Sequence, residues 1–266
     1  MVELHTHAVP SVSGFKLVKQ KIRKKLNKGP KISGGLALFV KAELSHIVRP
    51  VDNKHIDSLW AKIKKEDSGE SEDIYIGTAC ISPVRNKEND DSLELFFEEA
   101  RSFSQIGTVY VQGDLNARTG RGHDYLTRDK SDTLFGISNQ DKYPPRNSED
   151  EKICERGMIL LDLCKSLDFL IVNGRKVGDI FGRYTSIQWN GSGLVDYLIT
   201  PVCSLNRIAL FKVGKYYPWF SDHCPLYYTI SLKEGLKQKV EDNINLKKFL
   251  LVTSGMPTPN VDFWKG

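Results

Sequence analysis

Phe220-Ser221-Asp222-His223-Cys224-Pro225-Leu226 sets a carboxylate and an imidazole side by side, directly ahead of the apolar run at 226–230. A hard oxygen ligand and a proton donor at the rim of a buried strand suit a metal ion and a phosphate. A turn with a chance histidine would use the same letters. The pattern Ser-Asp-His-x-Pro leading into an apolar strand makes that reading weak. Upstream, Val109-Tyr110-Val111-Gln112-Gly113-Asp114-Leu115-Asn116 stops a short apolar strand at a glycine and then offers an acid and an amide two residues apart. Positions i and i+2 at a strand end share one side. Asp114 and Asn116 can therefore converge on one ligand, the acid taking a proton from water and the amide holding a phosphate oxygen. Asp, Asn and Gly are also ordinary turn residues, so this motif alone says little. Between the two, Gly193-Leu194-Val195-Asp196-Tyr197-Leu198-Ile199 places an acid inside an apolar run, where it needs a partner. A histidine N–H would serve, and a structural ion pair would serve equally.

Around these motifs, residues 35–40, 59–63, 74–81, 108–111, 169–172, 194–199, 208–213 and 226–230 read as strands. Residues 91–103 place Leu93, Phe96, Phe97 and Ala100 at i, i+3, i+4 and i+7, the period of an amphipathic helix. Ser148-Glu149-Asp150-Glu151 reads as a capping box opening a second helix, with Ile153, Leu160, Leu161, Cys164 and Leu167 inward. Residues 118–150 are polar and contain Pro144-Pro145, the mark of a long surface excursion. Several strands follow one another without an intervening helix. That predicts an α/β chain of the α+β kind, with mixed sheets packed together and flanked by helices rather than a doubly wound sheet.

With 40% hydrophobic and 27% charged residues in 266, the composition is that of a soluble globular chain. The net charge of +5 permits a polyanionic partner without requiring one. Its distribution is uneven: Lys16, Lys19, Lys21, Arg23, Lys24, Lys25, Lys28 and Lys31 run without an acidic residue among them. Such a run can displace counterions from several phosphates, or can simply be a solvated face. Five scattered cysteines with no CxxC pair argue against a disulfide framework or zinc ribbon and for a reducing compartment. No apolar run approaches the ~20 residues of a membrane span, and the start MVELHTHAVP lacks the form of a signal peptide. An intracellular chain with no membrane association is expected.

The three motifs, in this order, resemble the endonuclease/exonuclease/phosphatase superfamily, which includes abasic-site DNA endonucleases, deoxyribonuclease I and inositol phosphatases. Gly113-Asp114-Leu115-Asn116-Ala117-Arg118-Thr119-Gly120, Leu160-Leu161-Asp162-Leu163-Cys164, Asn173-Gly174-Arg175 with Gly178-Asp179, and Gly182-Arg183-Tyr184-Thr185-Ser186 look most like the endonuclease domain of non-LTR (LINE-type) retrotransposons. The resemblance runs over residues 1–231, leaving 232–266 as a poorly ordered tail. It implies a four-layer sandwich of two mixed sheets flanked by helices. It also implies a Mg²⁺- or Mn²⁺-dependent phosphodiesterase that nicks double-stranded target DNA in the nucleus. Carried over residue by residue, Asp222 and Glu3 bind the metal, the latter because Val2-Glu3-Leu4-His5 is a near match to the family's Glu-Thr-His. His223 contacts the scissile phosphate and is held by Asp196. Asp114 orients or deprotonates water with Asn116 beside it, Thr185 lines the substrate site, and Ser221 adjoins the metal ligand. Two departures stand out. The family's first, asparagine-bearing strand has no counterpart after Met1, so the chain reads as an N-terminally truncated copy. Cys80 stands where a tyrosine is usual. A phosphatase or RNA nuclease of the same superfamily, and a catalytically impaired relic that still binds nucleic acid, are the competing readings.

Overall fold

Among the described residues the chain forms thirteen strands and three α-helices. In chain order they are β1 (Val2–Glu3), β2 (Phe15–Ile22), β3 (Gly35–Lys41), β4 (Val48–Val51), β5 (Ser58–Ile63), α1 (Lys65–Ser68), β6 (Asp73–Cys80), α2 (Lys87–Ser104) and β7 (Gly107–Asp114). They continue with α3 (Glu155–Leu167), β8 (Phe169–Ile171), β9 (Ser186–Gln188), β10 (Gly191–Gly193), β11 (Asp196–Pro201), β12 (Ile208–Val213) and β13 (Leu226–Ile230). The computed structural model describes residues 2–3, 11–22, 35–84, 87–126 and 143–232, without the side chains of 2–3 and 87–90. The tail from 233, the basic residues Arg23 to Lys31 and residues 127–142 of the expected surface excursion lie outside the described residues. No helix among the described residues is long and apolar enough to cross a membrane.

The centre is a six-stranded sheet in the order β4-β5-β6-β7-β11-β8. β6 and β7 are parallel, joined across one face by α2, and the other pairings are antiparallel. Alternation along β7 splits its side chains between two cores. Val109 and Val111 meet Leu93, Phe96, Phe97 and Ala100 of α2 and Leu160, Leu161 and Cys164 of α3. Tyr110 faces the other way, into a second core with Leu198, Phe211, Leu226, Tyr228 and Ile230. That core is closed by two smaller antiparallel pieces, β1-β3-β2 and the β12-β13 hairpin. The expected pair of packed sheets is therefore present, and the helices that cover it turn Leu93, Phe96, Phe97, Ala100, Leu160, Leu161 and Cys164 inward as predicted.

Two local expectations give way. Ser148 does not open a helix. Its hydroxyl donates to the Asp150 carbonyl and accepts the Asp150 N–H, while the Asp150 carboxylate is taken by Arg118. The helix begins at Glu155, where the Cys154 sulfur accepts the Gly157 N–H, and Ile153 lies outside it, half exposed. The lysine-rich run contains a strand, β2. Lys19 reaches the Val51 carbonyl and Asp52, and Lys21 caps the carbonyls of Asn53 and His55. These two cations brace a loop, so they are spent on the protein itself.

Candidate active site

β7 and β11 run antiparallel with Asp114 directly opposite Asp196 and Gln112 opposite Leu198. Cross-strand partners point to the same face. Leu198 faces the core between the sheets, so both acids face it too, at the end of the strands. Like charges set opposite each other repel. A cation is needed there, and His223 supplies one. Its Nδ1 lies 2.8 Å from Asp196 Oδ2, and the ligand atoms of Asp114, Asp196 and His223 all fall within 4.8 Å of one another. Burial opposes a charge on the imidazole, but the charge and hydrogen bond of Asp196, with Asp114 and Asp222 beyond, outweigh it and lift its pKa to about 10. His223 is thus an imidazolium at neutral pH, and with Nδ1 held by Asp196 its other nitrogen is left as the proton donor.

The backbone around this cluster is over-determined. Asn173 acts as a piece of strand: its Nδ2 donates to the Asp196 carbonyl and its Oδ1 accepts the Leu198 N–H. Gly113 has φ +135°, and a Cβ there would sit 1.9 Å from the Ala79 carbonyl oxygen of the parallel neighbour. Only glycine permits that approach. Arg118 grips Asp150 through two nitrogens at 2.5 and 2.7 Å, and Asp150 also accepts the Leu194 N–H, tying the segment after β7 to the segment before β11.

Asp114, Asp196 and His223 are brought together as expected, and the remaining expected residues take different places. Asn116, held at φ +46°, donates both side-chain hydrogens inward, to Asp114 Oδ2 and the Ile81 carbonyl, each within 2.9 Å. Both neighbours are acceptors, which fixes the amide orientation. Its donors orient Asp114 and are not turned to a phosphate. Thr185, expected to line the substrate site, is instead fully buried. Its hydroxyl oxygen receives the N–H groups of Val195 and Asp196 at 3.0 Å. Ser221 accepts the His223 N–H at 3.0 Å and shapes the turn. Asp222 is exposed, with Oδ2 bonded by Gln188 at 2.9 Å. Glu3 lies in β1 opposite Leu36, which belongs to the apolar cluster that also holds Leu59 and Cys80. Cys80 itself is buried among apolar side chains. The bracing roles of Asn173 and Arg118 are set by tertiary contacts and leave no local signal in the sequence.

Asp114, Asp196 and His223 present ligand atoms close enough together to hold a metal ion, and Asp222, next to His223 in the chain, adds an exposed carboxylate of the oxygen-donor kind that hard divalent ions take. No protein-family model matches the sequence, and neither does any curated protein. Solved structures do match in shape. The 3′ phosphatase NExo from Neisseria, bound to a product DNA hairpin, aligns over 82% of this chain and 80% of its own with a TM-score of 0.52 at 13% identity. The AP endonuclease LMAP from Leishmania major aligns over 81% and 70%, also with a TM-score of 0.52 and 13% identity. The endonuclease domain of TRAS1, a telomere-specific non-LTR retrotransposon, aligns over 80% and 79% with a TM-score of 0.47 and 15% identity. This chain has the endonuclease/exonuclease/phosphatase fold. Within that fold, the acid pair and the imidazole lie where the central sheet ends against the smaller sheets, at the rim common to β7, β11 and the turn before β13.

Proposed function

We propose that the protein is a divalent-metal-dependent phosphodiesterase that nicks double-stranded DNA in the nucleus, the step that primes retrotransposition. The observation that carries the reading is the convergence of Asp114, Asp196 and His223 within 4.8 Å, with the imidazole charged by its partner. In this reading the free nitrogen of His223 donates to a non-bridging phosphate oxygen as negative charge grows there. Asp196 keeps the imidazole charged and aimed. Asp114, fixed by Asn116, accepts the proton of the attacking water. Asp222, with Glu3, would hold Mg²⁺ or Mn²⁺, which supplies Lewis-acid screening of the phosphate and leaving oxygen. The DNA hairpin bound by NExo supports nucleic acid as the substrate class. The retrotransposon assignment rests on the sequence motifs around Asp114, Asn173 and Thr185.

The test is conversion of supercoiled plasmid to open circles with Mg²⁺. His223→Ala and Asp222→Ala should each lose on the order of a hundredfold or more in rate. Nicking that persists unchanged in both variants would sink the assignment. A second reading, binding without cleavage, is favoured by Cys80, which is buried among apolar side chains and offers no hydroxyl to a phosphate. Under that reading plasmid stays supercoiled at every metal concentration while DNA binding remains steeply salt-dependent.

A further inference from the structure

Between Gly214 and Pro225 the chain leaves the β12-β13 hairpin and returns, closed at its base by the Gly214 N–H on the Pro225 carbonyl at 2.7 Å. The excursion is braced. The N–H groups of Phe220 and Ser221 both donate to the Tyr217 carbonyl, at 2.9 and 3.1 Å, so the turn feeds straight into Asp222 and His223. On it the rings of Tyr217 and Trp219 meet edge to face with centroids 5.6 Å apart, and the Lys215 ammonium lies 5.6 Å from the centre of the Tyr217 ring. Trp219 is nonetheless 77% exposed. Apart from its contact with Tyr217 that indole stands open to solvent, and the phosphate chemistry above does not use it.

We propose that Lys215, Tyr217 and Trp219 form a stacking platform for an unpaired nucleobase flanking the phosphate at His223, so that the preferred substrate is a strand with a locally unpaired base. The proposal rests on the phosphodiesterase reading for the position of the phosphate and goes beyond it in naming what lies next to it. Aromatic faces interleaved with a cation, beside a site that handles phosphate, are the combination by which unpaired strands are held. A stacked duplex hides its base faces, whereas an unpaired base offers one to the indole. The lysine adds attraction for the adjoining backbone, where an apolar protein partner would gain nothing from it.

The test uses the full chain in EDTA, so that binding is read apart from cleavage. Three labelled probes are titrated: a fully paired duplex, the same duplex with one unpaired adenine, and the single strand. The bulged duplex and single strand should bind about tenfold more tightly than the paired duplex and quench tryptophan emission. Trp219→Ala should erase that preference while leaving paired-duplex affinity unchanged, and Trp219→Phe should keep most of it. Equal affinity for the three probes, or a preference that survives Trp219→Ala, overturns the platform. His223→Ala should retain the preference although it loses nicking. A wild-type chain that shows the Trp219-dependent preference but never nicks plasmid would keep the platform and overturn the hydrolytic reading. Nicking with no base preference would do the reverse.

Discussion

At the scale of single residues, the site depends on hydrogen bonds whose loss can be measured one at a time. Asp196 holds His223 charged, so the imidazole of the metal-free protein should titrate near pH 10 by NMR and fall toward its ordinary value of 6.5 in Asp196→Asn. A normal titration in the wild type would refute the pairing. The linkage to stability has a definite sign. A base whose pKa is raised by folding lends stability in full below about pH 6.5 and loses it as pH rises toward 10. The melting temperature in EDTA should therefore fall across that window, and fall less in His223→Gln. Thr185 offers a second check. Replacing it by valine leaves two buried N–H groups at Val195 and Asp196 unanswered and should cost about 1–3 kcal/mol in denaturant unfolding. Thr185→Ser should recover most of this. A Thr185→Val chain of full stability but poor substrate binding would instead restore the substrate-lining role that its burial argues against.

At the scale of elements, what the sequence revealed and what it hid have physical reasons. The helix around Leu93, Phe96, Phe97 and Ala100 and the strand ending at Asp114 were legible because each buries a face of its own, and burial imposes a period. β2 was hidden by its lysines. Lys19 and Lys21 run along the protein surface to cap carbonyls of a loop more than thirty residues away, so a strand reads as a charge run. The three-residue strands β9 and β10 are too short to show a period at all, and β10 is glycine at both ends. Ser148 misled because its capping letters serve a local turn, while the helix is capped by a sulfur six residues later. Of the site, the acids and histidine were readable from their neighbours, but the inward turn of Asn116 and the burial of Thr185 depend on β7 and β11 being paired. Gly113 is where an element constrains the site most tightly. Gly113→Ala drives a methyl into the Ala79 carbonyl and should destabilise by about 3 kcal/mol, read as a lowered urea midpoint with an unchanged slope. An alanine variant of wild-type stability would mean that β6 and β7 do not approach so closely.

At the scale of the whole molecule, the net charge of +5 does not translate directly into DNA contacts. Since Lys19 and Lys21 are engaged within the fold, Lys21→Met should leave the salt dependence of DNA binding unchanged, whereas a cation on a phosphate would reduce the logarithmic slope by about 1 when removed. Burial and the neighbouring Lys19 depress the Lys21 pKa to about 8, so the unfolded chain binds that proton more tightly. Taken alone, this contribution rises from about pH 8 toward 10.5 and partly offsets the loss through His223, so the fall in stability above pH 8 should be steeper in Lys21→Met.

The antiparallel register that sets Asp114 against Asp196 joins two neighbouring strands of the six-stranded sheet, so the seam that would carry the proposed chemistry is also one that must part when the protein unfolds. Any ion that settles there delays unfolding by mass action, about 2.7 kcal/mol at a hundred times its dissociation constant. Thermal denaturation can thus serve as a reporter for the centre before a substrate is in hand. The order in which magnesium, manganese and calcium raise the midpoint ranks the coordination preferences of the pocket, and loss of that ranking in Asp222→Ala ties it to the ligand.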